Sequence, residues 1–187
     1  MHNIMPAYYG EFKGEGQLRT IIISILLTFV ISNDLYPQPE KILYSLQKKH
    51  PFSSSGQNDN FILTVRGKSL FTSTIYFEIR SSLGKVLYAD QFSVDKFSEY
   101  GSTEREPDDS AKVMLRLAHL FDNDKFDKPA IRDTSEMDNN MLPKNIWWDV
   151  WLDKTAISFN YLISTENNRG IVYSKVKRKV IQYYICC

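Results

Sequence analysis

The chain has 187 residues, about one domain's worth, with 43% apolar and 13% aromatic residues and only 8 Gly and 7 Pro. That composition supplies a sizeable core and excludes collagen, coiled coil and wholesale disorder. Lys and Arg number 23 against 22 Asp and Glu, a formal charge of +1, so neither a nucleic acid nor an acidic substrate is implied; no apolar run reaches the length of a confident membrane span.

The strongest local signal lies near the start. Residues Ile21 to Ile31 carry no charge, Arg19 stands just ahead of them, and Val30 and Ser32 offer a small-residue pattern for cleavage before Asn33. A short apolar run behind a basic residue is the plan of a secretory signal peptide. The expectation is therefore a leader over residues 1–32, followed by a single domain over 33–187 without a stable membrane span. It places the mature protein outside the cytoplasm, periplasmic or secreted. Glu11 and Glu15 offset Lys13 and Arg19, and Ile, Val, Thr and Phe also suit a buried strand. In that second reading the protein is cytoplasmic.

Beyond the leader, Pro39 suits the first turn of a helix in which Ile42, Leu43 and Leu46 share an apolar face, and His50-Pro51 ends it. Phe61 to Arg66 reads as a strand. Phe71 to Arg80 is the cleanest one, because Phe71, Ser73, Ile75, Phe77 and Ile79 alternate with Thr72, Thr74, Tyr76, Glu78 and Arg80. Ser81 to Gly84 makes a hairpin connection, and Lys85 to Phe92 returns.

After an acidic loop, Asp109 to Phe121 is a helix whose Val113, Met114, Leu117, Leu120 and Phe121 form one face, with His119 pointing away. Residues 122–154 show little regular structure apart from a Trp-rich piece. Three strands close the chain, over 155–163, 171–174 and 179–185, with Ile157, Phe159, Tyr161 and Ile163 facing inward on the first. The fold expected is α+β: one domain, an antiparallel sheet of about five to six strands, and two helices packed on one face.

The candidate site is Trp147-Trp148-Asp149-Val150-Trp151-Leu152-Asp153, which holds all three tryptophans. Indoles beside carboxylates suit a sugar-binding cleft, since rings stack on pyranose faces while acids accept hydroxyl hydrogen bonds. They equally suit core packing, because Trp is highly buried on average. Strand alternation predicts Trp148 buried with Val150 and Leu152, leaving Trp147 or Trp151 beside Asp149 and Asp153 in the main concavity. A helix pairs Trp147 with Trp151 instead.

Other chemistry is thin. Cys186 and Cys187 are the only cysteines and read as a disulfide or a surface thiol pair, not as a zinc site. Asp122 to Asp127 fails the EF-hand pattern, with Phe126, Asp127 and Asp133 where an oxygen ligand, Gly and Glu belong. No Gly-x-Ser-x-Gly elbow occurs, so no catalytic nucleophile is nominated; no metal or cofactor is expected. The basic tip Lys175, Lys177, Arg178 and Lys179 lacks the interleaved aromatics of a nucleic-acid site.

The functional expectation is an exported, non-catalytic binding or envelope-assembly protein with a protein or glycan ligand. The alternative is a small carboxylate-dependent hydrolase acting on envelope polysaccharide, with Asp149 or Asp153 as acid/base. It would need two carboxyl groups facing each other across a cleft, roughly 5 to 9.5 Å apart.

Overall fold

A computed structural model describes residues 40–53, 56–98, 109–133, 142–164 and 167–186. The proposed leader over 1–32, the acidic loop with Glu104, Glu106 and Asp108, and Cys187 lie outside these residues, as does the side chain of Cys186. The described residues belong to one compact unit, Glu40–Cys187.

Alternation builds the first sheet. Strands β1 (Ile42–Pro51), β2 (Asn58–Arg66), β3 (Thr74–Arg80) and β4 (Val86–Ser93) pair antiparallel in chain order. Phe61, Leu63 and Val65 on β2 face Ile75, Phe77 and Ile79 on β3, all with no exposed surface. Thr64, Tyr76, Glu78 and Arg80, the residues between, are half-exposed. This is the two-residue period of a sheet with one buried face. Gly84 turns the β3–β4 hairpin at φ +83°, a left-handed conformation that suits glycine, and its N–H donates to the Ser81 carbonyl at 2.8 Å.

The second sheet is β5 (Phe126–Asp127), β6 (Ser158–Ser164), β7 (Asn167–Ser174) and β8 (Lys179–Cys186), again antiparallel in chain order. Its inner face lays Phe159, Tyr161 and Ile163 against the first sheet. Ring centroids of Phe61 and Phe159 are 5.2 Å apart, as are those of Phe77 and Tyr161, so an aromatic layer fills the space between sheets. Its outer face contributes Val172, Ile181 and Tyr183 to a separate apolar cluster with Trp147 and Val150. Ile171 and Val172, adjacent on β7, thus enter opposite cores.

Helix α1 (Val94–Ser98) follows β4 directly, and α2 (Asp109–Ala118) adds Val113 and Leu117 to the core between the sheets; Leu120 and Phe121, just past its end, are buried there too. Met114 packs against that core half-buried, and His119 is exposed. The face expected for this helix is the one it uses. Helix α3 (Lys144–Leu152) lies over the outer face of the second sheet.

Polar contacts tie the two sheets together. The Tyr161 hydroxyl donates to Asp90 Oδ2 at 2.7 Å and lies 2.7 Å from the Tyr88 hydroxyl, while Arg169 Nη1 donates to Asp90 Oδ2 at 2.7 Å. Burial, reinforced by neighbouring Tyr88 and Asp90, pushes the Tyr161 hydroxyl far above the ordinary phenol value, so it stays a donor. Elsewhere between the sheets, the His50 ring stacks on Phe126 at 3.7 Å, and Lys48 Nζ donates to the Phe121 carbonyl at 2.6 Å and to Asn123 Oδ1 at 2.7 Å.

Three expectations are corrected. The architecture is α+β, but its strands form two four-stranded sheets instead of one sheet of five or six. The helices do not share a face of one sheet either: α2 enters the core between the sheets and α3 covers the far side of the second. Residues 42–51 are an edge strand, not a helix, in the register Leu46↔Leu63, Lys48↔Phe61 and His50↔Asp59. Ile42, Leu43 and Leu46 fit a helical stripe, yet pairing with β2 gives Tyr44, Leu46 and His50 an apolar side to pack on, and tertiary pairing outweighs local pattern. Pro51 is tolerated at the end of an edge strand.

Candidate binding site

The Trp-rich segment is a helix, and that decides which indole is available. Ile146 N and Trp147 N both donate to the Pro143 carbonyl, at 2.9 and 3.1 Å, so the first turn closes on Pro143. Spacings of three and four residues then group Trp147 and Val150, 1% and 3% exposed, with the partly buried Ile146 and Trp151 against the second sheet. The opposite face carries Trp148, 41% exposed, and Leu152, 64% exposed, one turn apart. Strand alternation therefore places the tryptophans the wrong way round: Trp148 is out, and Trp147 is in.

The end of α3 is fastened by Asp153. Its Oδ1 accepts from Thr155 N at 3.0 Å and from Thr155 Oγ1 at 2.6 Å, and its Oδ2 meets Lys175 Nζ at 2.7 Å. The Asp153 N–H donates to the Asp149 carbonyl at 3.2 Å, and Ala156 N to the Asp153 carbonyl at 2.9 Å. Burial works against ionisation of Asp153, but the hydrogen bonds from Lys175 and Thr155 outweigh it and hold the carboxyl below its ordinary value.

Beside this end lies a concavity of about 350 Å³, lined by Asp149, Leu152 and Asp153 from the helix side and by Tyr173, Lys175 and Val176 from the β7–β8 hairpin. Val176 is 66% exposed. Of the four residues nominated from the sequence, Asp149 and Asp153 line this concavity, and Trp147 and Trp151 do not. Trp151 is half-buried, its ring stacked with Trp147 at 6.4 Å and covered by Lys154 Nζ at 4.2 Å. Leu152, Tyr173, Lys175 and Val176 are the residues that sequence reasoning does not nominate. For Leu152 and Trp148 the signal is their four-residue spacing; for the hairpin residues only the fold supplies it.

Asp149 and Asp153 stand one helical turn apart, and Asp153 is engaged by Lys175 and Thr155, which hold its carboxyl below the ordinary value. Among the described residues no group of three or more His, Cys, Asp or Glu is placed to hold a metal ion, and no helix is long and apolar enough to cross a membrane. Comparison with protein-family models, with curated proteins and with solved structures finds no match to this chain.

Proposed function

We propose that the chain is an exported, non-catalytic binding protein of an envelope assembly, and that it engages a protein partner through the outer face of α3. The observation that carries this reading is the exposed pair Trp148 and Leu152, with Val176 sharing a concavity with Leu152. Trp148 shares a helix face with Leu152, and the concavity that Leu152 and Val176 line also carries Asp149, Asp153 and Lys175; apolar groups beside a polar rim have the make-up of a binding hot spot. A clustered apolar surface beside a concavity marks an interaction site, whereas single exposed residues such as Leu83 need no explanation. Export rests on the uncharged run Ile21 to Ile31 behind Arg19.

A photo-crosslinking amino acid at the exposed position 145, one turn before Trp148, compared with one at position 83, tests the reading in cells of the native source. The expected result is a discrete adduct from 145 that disappears when Trp148→Ala and Leu152→Ala are added, and none from 83. Equal labelling from both positions, or no adduct from 145, contradicts it. Saturable binding to a glycan array that depends on Trp148 would assign the same face to a sugar instead.

A further inference from the structure

We propose that the outer face of the first sheet binds an acidic oligosaccharide, a glycan chain carrying carboxylates, along the trough over β2 and β3. This face lies on the opposite side of the molecule from α3, and the proposal does not depend on the α3 reading.

On β2 and β3 the residues between the core positions point away from the core. Ile62, Thr64, Tyr76, Glu78 and Arg80 are half-exposed and Arg66 is exposed. These six line a hollow of about 370 Å³. Tyr76 and Glu78 also line a second one of about 290 Å³, which continues over Ala89 and Gln91 of β4. In the register of the two strands, Thr64 faces Tyr76, Ile62 faces Glu78, and Asn60 faces Arg80, so Arg66 and Arg80 stand at opposite ends of the row. At roughly 3.4 Å per residue the row is about 20 Å long, which suits a stretch of extended polymer better than a single small molecule.

Ile62 is the one aliphatic side chain among the six, so the trough lacks the apolar centre of a protein–protein contact. Its hydroxyl, carboxylate and guanidinium groups donate to and accept from sugar hydroxyls, and Ile62 and the Tyr76 ring remain for the C–H faces. Charge then selects the kind of glycan. Arg80 is engaged by Glu78, its Nε and Nη2 lying 2.8 and 2.6 Å from Oε2. Asp90, beside the second hollow, is engaged by Tyr161 and Arg169 from the inner side. Arg66 lies over the Tyr76 ring, 5.4 Å from its centroid, and has no ion-pair partner among the described residues. Stacking orients a guanidinium without neutralising it, and its fork matches a carboxylate in two parallel hydrogen bonds. Lys49, exposed on β1 opposite Asn60, is a second cation on this face with no ion-pair partner among the described residues. Two such cations are few for the phosphate ladder of a nucleic acid, but they favour an acidic glycan over a neutral one.

The test presents the full chain to an array of uronate-bearing and neutral oligosaccharides, then titrates it with the strongest uronate-bearing binder. The expected result is saturable binding to uronate-bearing members, weakened at least tenfold by Arg66→Ala and by Tyr76→Ala and unchanged by Trp148→Ala. In the parent chain, amide shifts on titration are expected to centre on Ile62, Thr64 and Tyr76, a readout that needs no variant to fold. The proposal is overturned if no uronate-bearing member binds, if neutral members bind equally well, or if the shifts centre elsewhere. Indifference to Arg66→Ala together with loss of binding in Trp148→Ala also overturns it, by moving the glycan to the α3 face.

Discussion

The two faces of the second sheet are packed by different means. On the inner face, Phe159, Tyr161 and Ile163 meet the buried face of the first sheet, whose opposite face carries Thr64, Tyr76, Glu78 and Arg80 half-exposed. On the outer face, Val172, Ile181 and Tyr183 meet Trp147 and Val150 of one short helix whose other side stays open to solvent. The inner interface consumes its apolar residues on both partners. The outer one leaves Leu152 exposed and Trp148 41% exposed, its ring edge-on to Trp147 and Trp151, and the proposed partner contact rests on that surface.

Perturbing each layer separates the two roles. Phe159→Ala is expected to cost about 3–5 kcal/mol in denaturant unfolding, because this fully buried ring contacts Phe61, Phe77, Phe121, Phe126 and Tyr161. Leu117→Ala should cost about 2–5 kcal/mol for the same reason at the helical margin of that core, while His119→Ala should stay within about 0.5 kcal/mol. A reversal of that pair would mean that α2 presents another face.

Acid should loosen the inner interface before it touches the outer one. His50, stacked on Phe126, has its pKa lowered by burial, with Lys48 acting the same way against a hydrogen bond to the Pro51 carbonyl. A lowered histidine pKa means that the unfolded chain takes up the proton first. Its contribution is therefore intact above the unfolded value of about 6.5 and is lost as pH falls below it. Melting temperature measured between pH 7.5 and 5 should fall less for His50→Gln than for the parent chain. Parallel curves would remove His50 from the account. On the outer face Trp148→Ala should cost about 1–2 kcal/mol, since it loses edge-on contacts with Trp147 and Trp151, less than Phe159→Ala, while abolishing crosslinking from position 145.

The inner core was legible in the sequence because strand alternation is strict. Ile75, Phe77 and Ile79, and again Phe159, Tyr161 and Ile163, face where a two-residue period puts them. What could not be read is which strands share a sheet, since nothing local to β4 or β5 says that the chain changes layers between them. Residues 42–51 carry both periods, and only pairing with β2 chooses between them. In the Trp-rich segment each residue from Ile146 to Leu152 except Asp149 is apolar, so period alone cannot name the buried side. Asp149 and Asp153 were legible as a pair because both periods keep them together; Val176 and Tyr173 belong to the site only through the hairpin that carries them.

The central claim is that α3 turns Trp147 inward to hold the layer and Trp148 outward to meet a partner. Acrylamide quenching of tryptophan fluorescence in the Trp148→Phe and Trp147→Phe variants tests it directly. The account predicts that Trp148→Phe removes most of the quenchable, red-shifted emission, whereas Trp147→Phe leaves that emission in place. Loss of the quenchable emission in Trp147→Phe, with Trp148→Phe unchanged, would contradict the orientation of the helix and with it the proposed binding face.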